Sequence, residues 1–399
     1  MKNWKIVLAI LTANVIMMAA GYTMLIPFLP VYLMKELGVS ADDVKMWSGA
    51  IFSITFLIGG IMAPIWGKMA DTRGKKLMAV RSGAGLALSY FLGGLVASPE
   101  QMFAVRVLQG FAAGLWSVCL AICTSSVPFS KLGVSLGILQ AGLTVGNVIG
   151  PLLGGTLATL FGMRISFFVA GGMLTVITLI FALYVPEPPK GEPKKEKGKQ
   201  QEENLLKKPG IMEALIYSCI VFMVILLIQP IISLYVAELH HSQENLVFLS
   251  GLVFSLMGIA SAITAPMWGR FGQRKGFYRT MVLSGSTASI VFFACAMPEN
   301  LTQFAIINFC CGLFFAGITP SLSAVLASLT SQNQRGRAFG YMFSAQQFGS
   351  MIGPLLGGAL ATYLPLRSLF VIGGVILMCV SAVVFIRHWN DAPPSETAK

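Results

Sequence analysis

Arg106 is the one basic residue that stands well inside an apolar run, the stretch 101–126. At the centre of a membrane helix such a charge costs about 2.5–3.5 kcal/mol on insertion scales. It should therefore face a cavity or a polar partner, unless it snorkels to an interface. Polar and aromatic side chains are scattered through similar runs: Asn14, Tyr22, Gln109, Trp116, Gln140, Asn147, Gln229, Asn308, Gln346 and Gln347. Mixed with Met and Phe, they could line an adaptable surface for amphipathic compounds, or serve only as hydrogen bonds between helices. Carboxylates sit at run ends or in loops, at Glu36, Asp71, Glu213 and Glu238. Other chemistries lack their residues. There is no GxxxxGK[ST] phosphate loop, no HExxH and no metal-ligand cluster. His240-His241 has no third ligand nearby, and the seven cysteines fall in apolar runs without zinc-like spacing. Neither catalysis nor a metal site is expected.

The elements that must position these side chains follow from composition. Of 399 residues, 55% are hydrophobic and only 11% charged, against about 25% charged in soluble domains. Runs long enough for a hydrocarbon core of about 30 Å recur along the chain. They predict twelve spans, at 6–34, 47–66, 77–97, 101–126, 133–160, 165–185, 211–237, 246–268, 279–297, 301–328, 337–363 and 367–387. The first is too long for a secretory h-region and is expected to remain as a span. Residues 186–210, rich in Lys, Glu, Pro and Gly, read as a linker between an N-terminal bundle (1–185) and a C-terminal bundle (211–387), with a tail at 388–399. Placing both termini and the linker in the cytoplasm gathers most of the 28 basic residues there. The opposite side keeps Lys35, Lys45, Arg164 and Arg367. That bias accounts for the net charge of +12 without nucleic acid.

The two bundles repeat each other. Gly150-Pro-Leu-Leu-Gly-Gly-Thr-Leu-Ala-Thr159 returns as Gly353-Pro-Leu-Leu-Gly-Gly-Ala-Leu-Ala-Thr362, and Ala63-Pro-Ile-Trp-Gly-Lys68 as Ala265-Pro-Met-Trp-Gly-Arg270. Six spans per half give both halves the same orientation, which predicts a pseudo-two-fold axis along the membrane normal. Gly142, Gly146, Gly150 and Gly154 recur every four residues and make a groove along one helix face. Such a groove suits close packing, and it would serve static packing or low-cost sliding equally. The loop Gly67-Lys-Met-Ala-Asp-Thr-Arg-Gly-Lys-Lys76 returns as Gly269-Arg-Phe-Gly-Gln-Arg-Lys-Gly276. Gly67 and Gly74 are read as allowing a tight turn, and Asp71 as pairing or capping a helix end. The halves differ at two charges: Gln273 replaces Asp71, and Asn308 replaces Arg106.

The Gly67–Lys76 pattern resembles the signature loop of the major facilitator superfamily. Arg106-Val-Leu-Gln-Gly110 is similar to that family's fourth-helix arginine motif. Gly137 through Gly155 is similar to the fifth-helix motif of its drug/proton antiporter branch. Pro27-Phe-Leu-Pro30 and Met46 through Phe56 resemble the MdtG-like multidrug exporters in particular. The resemblance covers essentially the whole chain. It implies an all-α membrane protein of twelve helices in two six-helix bundles, with spans one, four, seven and ten around a central cavity. It makes Gly67, Asp71, Arg73, Gly74 and Lys75 a conformational latch, and Gly142, Gly146, Gly150, Pro151 and Gly154 the antiporter glycine motif. Arg106, Asp71, Glu213 and Glu238 become candidates for coupling, although the first and seventh spans lack the mid-helix carboxylate that many relatives carry. The implied function is proton-coupled export of amphipathic drugs from a bacterial inner membrane. An exporter of one endogenous metabolite or siderophore is the alternative, and a non-transporting sensor or scaffold a third possibility. Expected partners are substrate, protons and lipid, with the proton gradient in place of any cofactor and a monomeric state.

Overall fold

A computed structural model describes residues 4–25, 28–128, 131–187, 205, 208, 210–240, 245–330 and 335–389, with backbone alone at positions 71, 132, 133 and 335–337. Most of the expected linker, the tail beyond position 389 and the Asp71 side chain lie outside the described residues. Every regular element among the described residues is helical. The helices form the twelve expected spans, and nine of those are long and apolar enough to cross a membrane by length and composition alone. The others are the third (Lys75–Leu95), ninth (Phe277–Ala294) and eleventh (Arg335–Tyr363) spans.

Backbone interruptions fall in a pattern that apolar runs do not reveal. The first span is Trp4–Met24 followed by Leu29–Lys35, and the fourth is Pro99–Ala112 followed by Leu115–Ser126. The seventh is Ile211–Leu227 and Ile232–His240 around a 3₁₀ turn at Gln229–Ile231, and the tenth is Leu301–Phe315 and Ile318–Ser328. These are the four spans that the family resemblance places around a cavity. Broken backbone is tolerated at membrane depth where protein or a cavity satisfies it. By contrast, the second (Val44–Arg73), fifth (Leu132–Phe161), eighth (Leu246–Lys275) and eleventh spans are continuous for 29 or 30 residues, each with an internal proline. At 1.5 Å per residue they reach about 45 Å, longer than the hydrocarbon core, so they must tilt or project.

Two compact units comprise Met1–Gln201 with Val247–Ser255, and Glu202–Leu246 with Leu256–Lys399. Within the first, the first span packs on the fifth and the third on the sixth (Met163–Tyr184). Within the second, the seventh packs on the eleventh and the ninth on the twelfth (Leu366–His388). The repeat thus extends from sequence to packing, and further to single bonds. The Tyr32 hydroxyl donates to the Gly93 carbonyl at 3.1 Å and that of Tyr235 to Cys295 at 2.9 Å. Ser98 and Asn300 each cap a helix by accepting from the backbone N–H of Gln101 and Gln303. Both glutamines reach back to accept from the N–H of Ala97 and Glu299, one residue before each cap, in a variant of the capping box.

The glycine groove is filled from within its own unit. A methyl at Gly142 would meet Thr12 at 3.0 Å, and at Gly146 the carbonyl of Ile16 at 2.5 Å. At Gly150 it would strike Thr23 Oγ1 and the Ala20 carbonyl, and at Gly154 the Met24 carbonyl. Gly349, Gly353 and Gly357 press the same way on the carbonyls of Cys219, Met223 and Leu227. A different edge of the fifth span, at Val148, Pro151 and Gly155, packs on the Val247–Ser255 segment of the first unit, where Ser255 Oγ donates to the Val148 carbonyl at 2.8 Å.

Candidate functional site

The fourth span starts sharply, with Ser98 as N-cap, Pro99 at the first helical position and Glu100 in the first turn. Further along the same helix, Gly110 lets the second span approach: a methyl there would lie 2.6 Å from Ile58 and 2.9 Å from the Thr55 carbonyl. That crossing brings Phe52 and Thr55 beside Arg106. Thr55 Oγ1 donates to the Arg106 carbonyl at 3.2 Å, and the guanidinium lies 5.5 Å from the Phe52 ring centroid.

Arg106 is 2% exposed, so it does not snorkel. One terminal nitrogen donates to Gln109 Oε1 at 2.9 Å, while the other has no partner among protein atoms. Tyr22 and Tyr90 are its electrostatic neighbours; the buried Tyr22 hydroxyl also lacks a hydrogen-bond partner, while the Tyr90 hydroxyl faces the Gln109 side chain. Tyr90 comes from the third span and approaches Gly21 of the first, while Tyr22 packs edge-on against Phe56 at 5.9 Å. Among the described residues no carboxylate comes within ion-pair distance of Arg106. Each buried polar atom left unmet costs about 1–3 kcal/mol. An arginine keeps its proton at any relevant pH, so Arg106 cannot itself carry one. What the cluster can do is hold water or an anionic group against a fixed positive charge and two tyrosine hydroxyls.

Of the other polar candidates, Asn14 is buried with its side-chain oxygen unmet, and Trp116 is half-buried against the first unit's core. Gln140 and Asn147 are exposed on the fifth span. In the second unit Gln229 is buried at the break of the seventh span with its oxygen unmet. Asn308 is buried and partnered, and Gln346 and Gln347 are half-buried.

The signature loop differs from its expected form. Gly67 does not make the turn: it lies inside the second span, which runs on to Arg73 with open space around the glycine. Gly74 alone turns the chain, at φ 110°, ending one helix and starting the next; Gly276 does the same at φ 98°. Arg73 is exposed. Among the described side chains, the acid on this turn is Glu187, expected only as part of the linker. Its carboxylate accepts from the backbone N–H of Lys75 at 2.6 Å and of Lys76 at 2.9 Å. Unpaired N–H groups and the positive end of the helix dipole favour a carboxylate there. Lys75 Nζ donates to Ser125 Oγ at 2.7 Å and to the Ala121 carbonyl at 3.4 Å, which ties the turn to the end of the fourth span. Glu187→Gln is expected to weaken this cap by about 1 kcal/mol. Amide hydrogen exchange at Lys75–Met78 should accelerate; unchanged exchange would remove Glu187 as the cap of this turn.

Arg81 also does more than add surface charge. It donates to the carbonyls of Phe111 and Ala113 at 3.0 Å each, beside the break in the fourth span, and stacks on Trp66 at 3.8 Å. In the second unit, Ser261 donates to the Gly312 carbonyl, and Thr264 and Trp268 to that of Leu313. Both units therefore satisfy backbone carbonyls ahead of a helix break with side chains, but use different residues.

The remaining candidate acids, Glu36, Glu238 and Glu213, are paired. Glu36 meets Arg164 at 2.9 Å, and the equivalent Glu238 meets Arg367 at 4.0 Å, so both belong to a repeated, partly exposed ion pair. Glu213 accepts from the Tyr217 hydroxyl at 2.5 Å and lies 3.3 Å from His388 Nε2 and 3.5 Å from Arg387. His388 in turn stacks on Tyr278, ring centroids 4.2 Å apart.

Comparison with known proteins places this geometry. The family model described as Major Facilitator Superfamily matches residues 11–259 and 246–399. A "Multidrug resistance protein MdtG" of Yersinia enterocolitica is 33% identical over 96% of this chain and 91% of its own length. A "Multi-drug resistance efflux pump PmrA homolog" of Lactococcus lactis is 31% identical over 96% of this chain and 97% of its own. The fold is similar to the crystal structure of a point mutant of the nucleoside transporter NupG, with a TM-score of 0.80 at 15% identity, covering 95% of this chain and 99% of that one. It is also similar to a bacterial homologue of the lysosomal transporter Spinster, at TM-score 0.79 and 17% identity, covering 96% of each chain.

Proposed function

The chain belongs to the major facilitator superfamily, and on that premise we propose that it is a secondary transporter exporting amphipathic small molecules by alternating access, in exchange for protons. The observation that carries this reading is the Arg106 cluster, a fully buried cation with unmet donors and no carboxylate among its described neighbours. A static bundle gains nothing from such a group, whereas a transporter can use it to hold water or a passing anionic group. The names of the MdtG and PmrA relatives support multidrug export as the cargo class. The protein acts as a monomer without a cofactor. Its N-terminus, the 186–210 linker and the 388–399 tail lie in the cytoplasm, on the strength of the positive-inside bias. Inverted membrane vesicles with an imposed proton gradient should accumulate dye only when they contain the protein; a working control exporter alongside an inactive test protein would sink the proposal.

Among the coupling candidates, Glu213 has the most suitable surroundings. Glu238 shares the ion pair that Glu36 makes in the other half, which marks it as architectural. Glu213 instead joins a tyrosine hydroxyl and a histidine, groups through which a proton can be passed. Glu213→Gln is expected to retain dye binding, read by fluorescence anisotropy, and to lose dye-dependent proton movement in proteoliposomes. Wild-type proton movement in that variant would return the role to Asp71.

A further inference from the structure

The first and fifth spans leave a cavity of about 540 Å³ between Trp4–Ile16 and Lys131–Ile138. Its wall is apolar, built from side chains such as Leu8, Ile16, Val134 and Ile138, and two lysines, Lys5 and Lys131, stand at the same end. Among the described lining residues there is no acid to neutralise them. The indole of Trp4 lies beside Lys5, at 5.9 Å from its ammonium. Tryptophan next to lysine at the start of a span is the pairing expected at the headgroup level of a bilayer.

Helical register shows which way this groove opens. Val134, Ile138, Val145 and Ile149 lie within an arc of about 60° at 100° per residue, and their exposures are 67%, 41%, 42% and 41%. The exposed polar residues Gln140 and Asn147 lie on the roughly opposite side of the same helix. The groove therefore continues into an apolar stripe suited to hydrocarbon, away from the polar face. Its charge excludes cationic amphiphiles and favours an anion that carries an acyl chain.

We propose that this groove binds an anionic phospholipid of the cytoplasmic leaflet, with its phosphate between Lys5 and Lys131 and an acyl chain along Val134, Ile138, Val145 and Ile149. The leaflet follows from the cytoplasmic orientation proposed above. A lipid held here spans the cytoplasmic ends of the first and fifth spans, next to the contact at Gly142.

The test uses full-length protein in phosphatidylcholine nanodiscs doped with a photoactivatable acyl probe on either phosphatidylglycerol or phosphatidylcholine. Crosslinked peptides are mapped by mass spectrometry. The phosphatidylglycerol probe should label the Leu8–Ile16 and Val134–Ile149 peptides several-fold more than the phosphatidylcholine probe. The double variant Lys5→Ala, Lys131→Ala should lose that excess while general labelling of other apolar faces persists, which also reports that it has folded. Equal labelling by both probes in the wild type, or an excess that survives the double substitution, overturns the site. Displacement of the lipid probe by a transported dye would also overturn it, by making the groove a substrate path. Orientation is read separately, from labelling of a Lys5→Cys variant in inside-out and right-side-out vesicles, so an error there is distinguishable from failure of the site.

Discussion

Replacing Arg106 by methionine is expected to reduce dye efflux to the level of a vector control without lowering the amount of folded protein in the membrane. Methionine keeps much of the length and removes the charge. It relieves an insertion cost of about 2.5–3.5 kcal/mol and leaves behind a neutral amide, Gln109, with the Tyr90 hydroxyl still beside it. Thermal stability in detergent should therefore stay level or rise while transport disappears. Opposite signs for stability and activity are the signature of a group kept for function. Gln109→Ala should give an intermediate loss, because it frees one guanidinium nitrogen without removing the charge. Wild-type efflux from Arg106→Met would take the residue out of the mechanism. A fall in stability that matches the fall in transport would make it a packing element.

Gly150→Leu should do the reverse and destroy the protein before transport can be assessed. Even a methyl at this position collides with Thr23 Oγ1 and the Ala20 carbonyl, and a helix backbone cannot yield as a flexible side chain can. Overpacking costs about 1–3 kcal/mol when neighbours can adjust and more when they cannot. Gly150→Ala should lower the melting temperature, and Gly150→Leu should abolish the monodisperse peak in size-exclusion chromatography. Gly172 is the internal control, since a Cβ there meets nothing within 4 Å. Gly172→Ala should match the wild type. If Gly150→Leu is monodisperse and stable, the first and fifth spans separate easily, and the groove is a moving surface.

Together these outcomes divide the first unit into a rigid part and a working part. Glycines at four-residue spacing bind the fifth span to the backbone of the first, and the second unit repeats the arrangement. The charged cluster has no counterpart, because Asn308 stands where Arg106 would be. Duplication supplied the packing twice, and the asymmetric charge was placed in one copy.

The amino-acid order alone determines the number of spans and the two-fold repeat, and it places Arg106 inside a span while leaving burial or snorkelling to the structure. These are local or periodic properties: a bilayer requires about 20 apolar residues per crossing, and a 203-residue repeat is visible in the letters. The helix breaks were less legible. Gly114 and Pro230 mark two of them, but no apolar count separates a broken span from a continuous one. Tertiary structure alone decided who partners whom. Glu187 caps a helix that begins 112 residues earlier, Arg81 reaches carbonyls 30 and 32 residues away, and Arg164 crosses 128 residues to Glu36. Gly67 and Gly74 look equivalent in sequence, yet only Gly74 has a positive φ, because the second span continues past the first of them. Hydrophobicity and periodicity act along the chain, so they can be read from it. Hydrogen bonds and ion pairs between distant segments depend on which helix faces which, and that is settled only when the bundles pack.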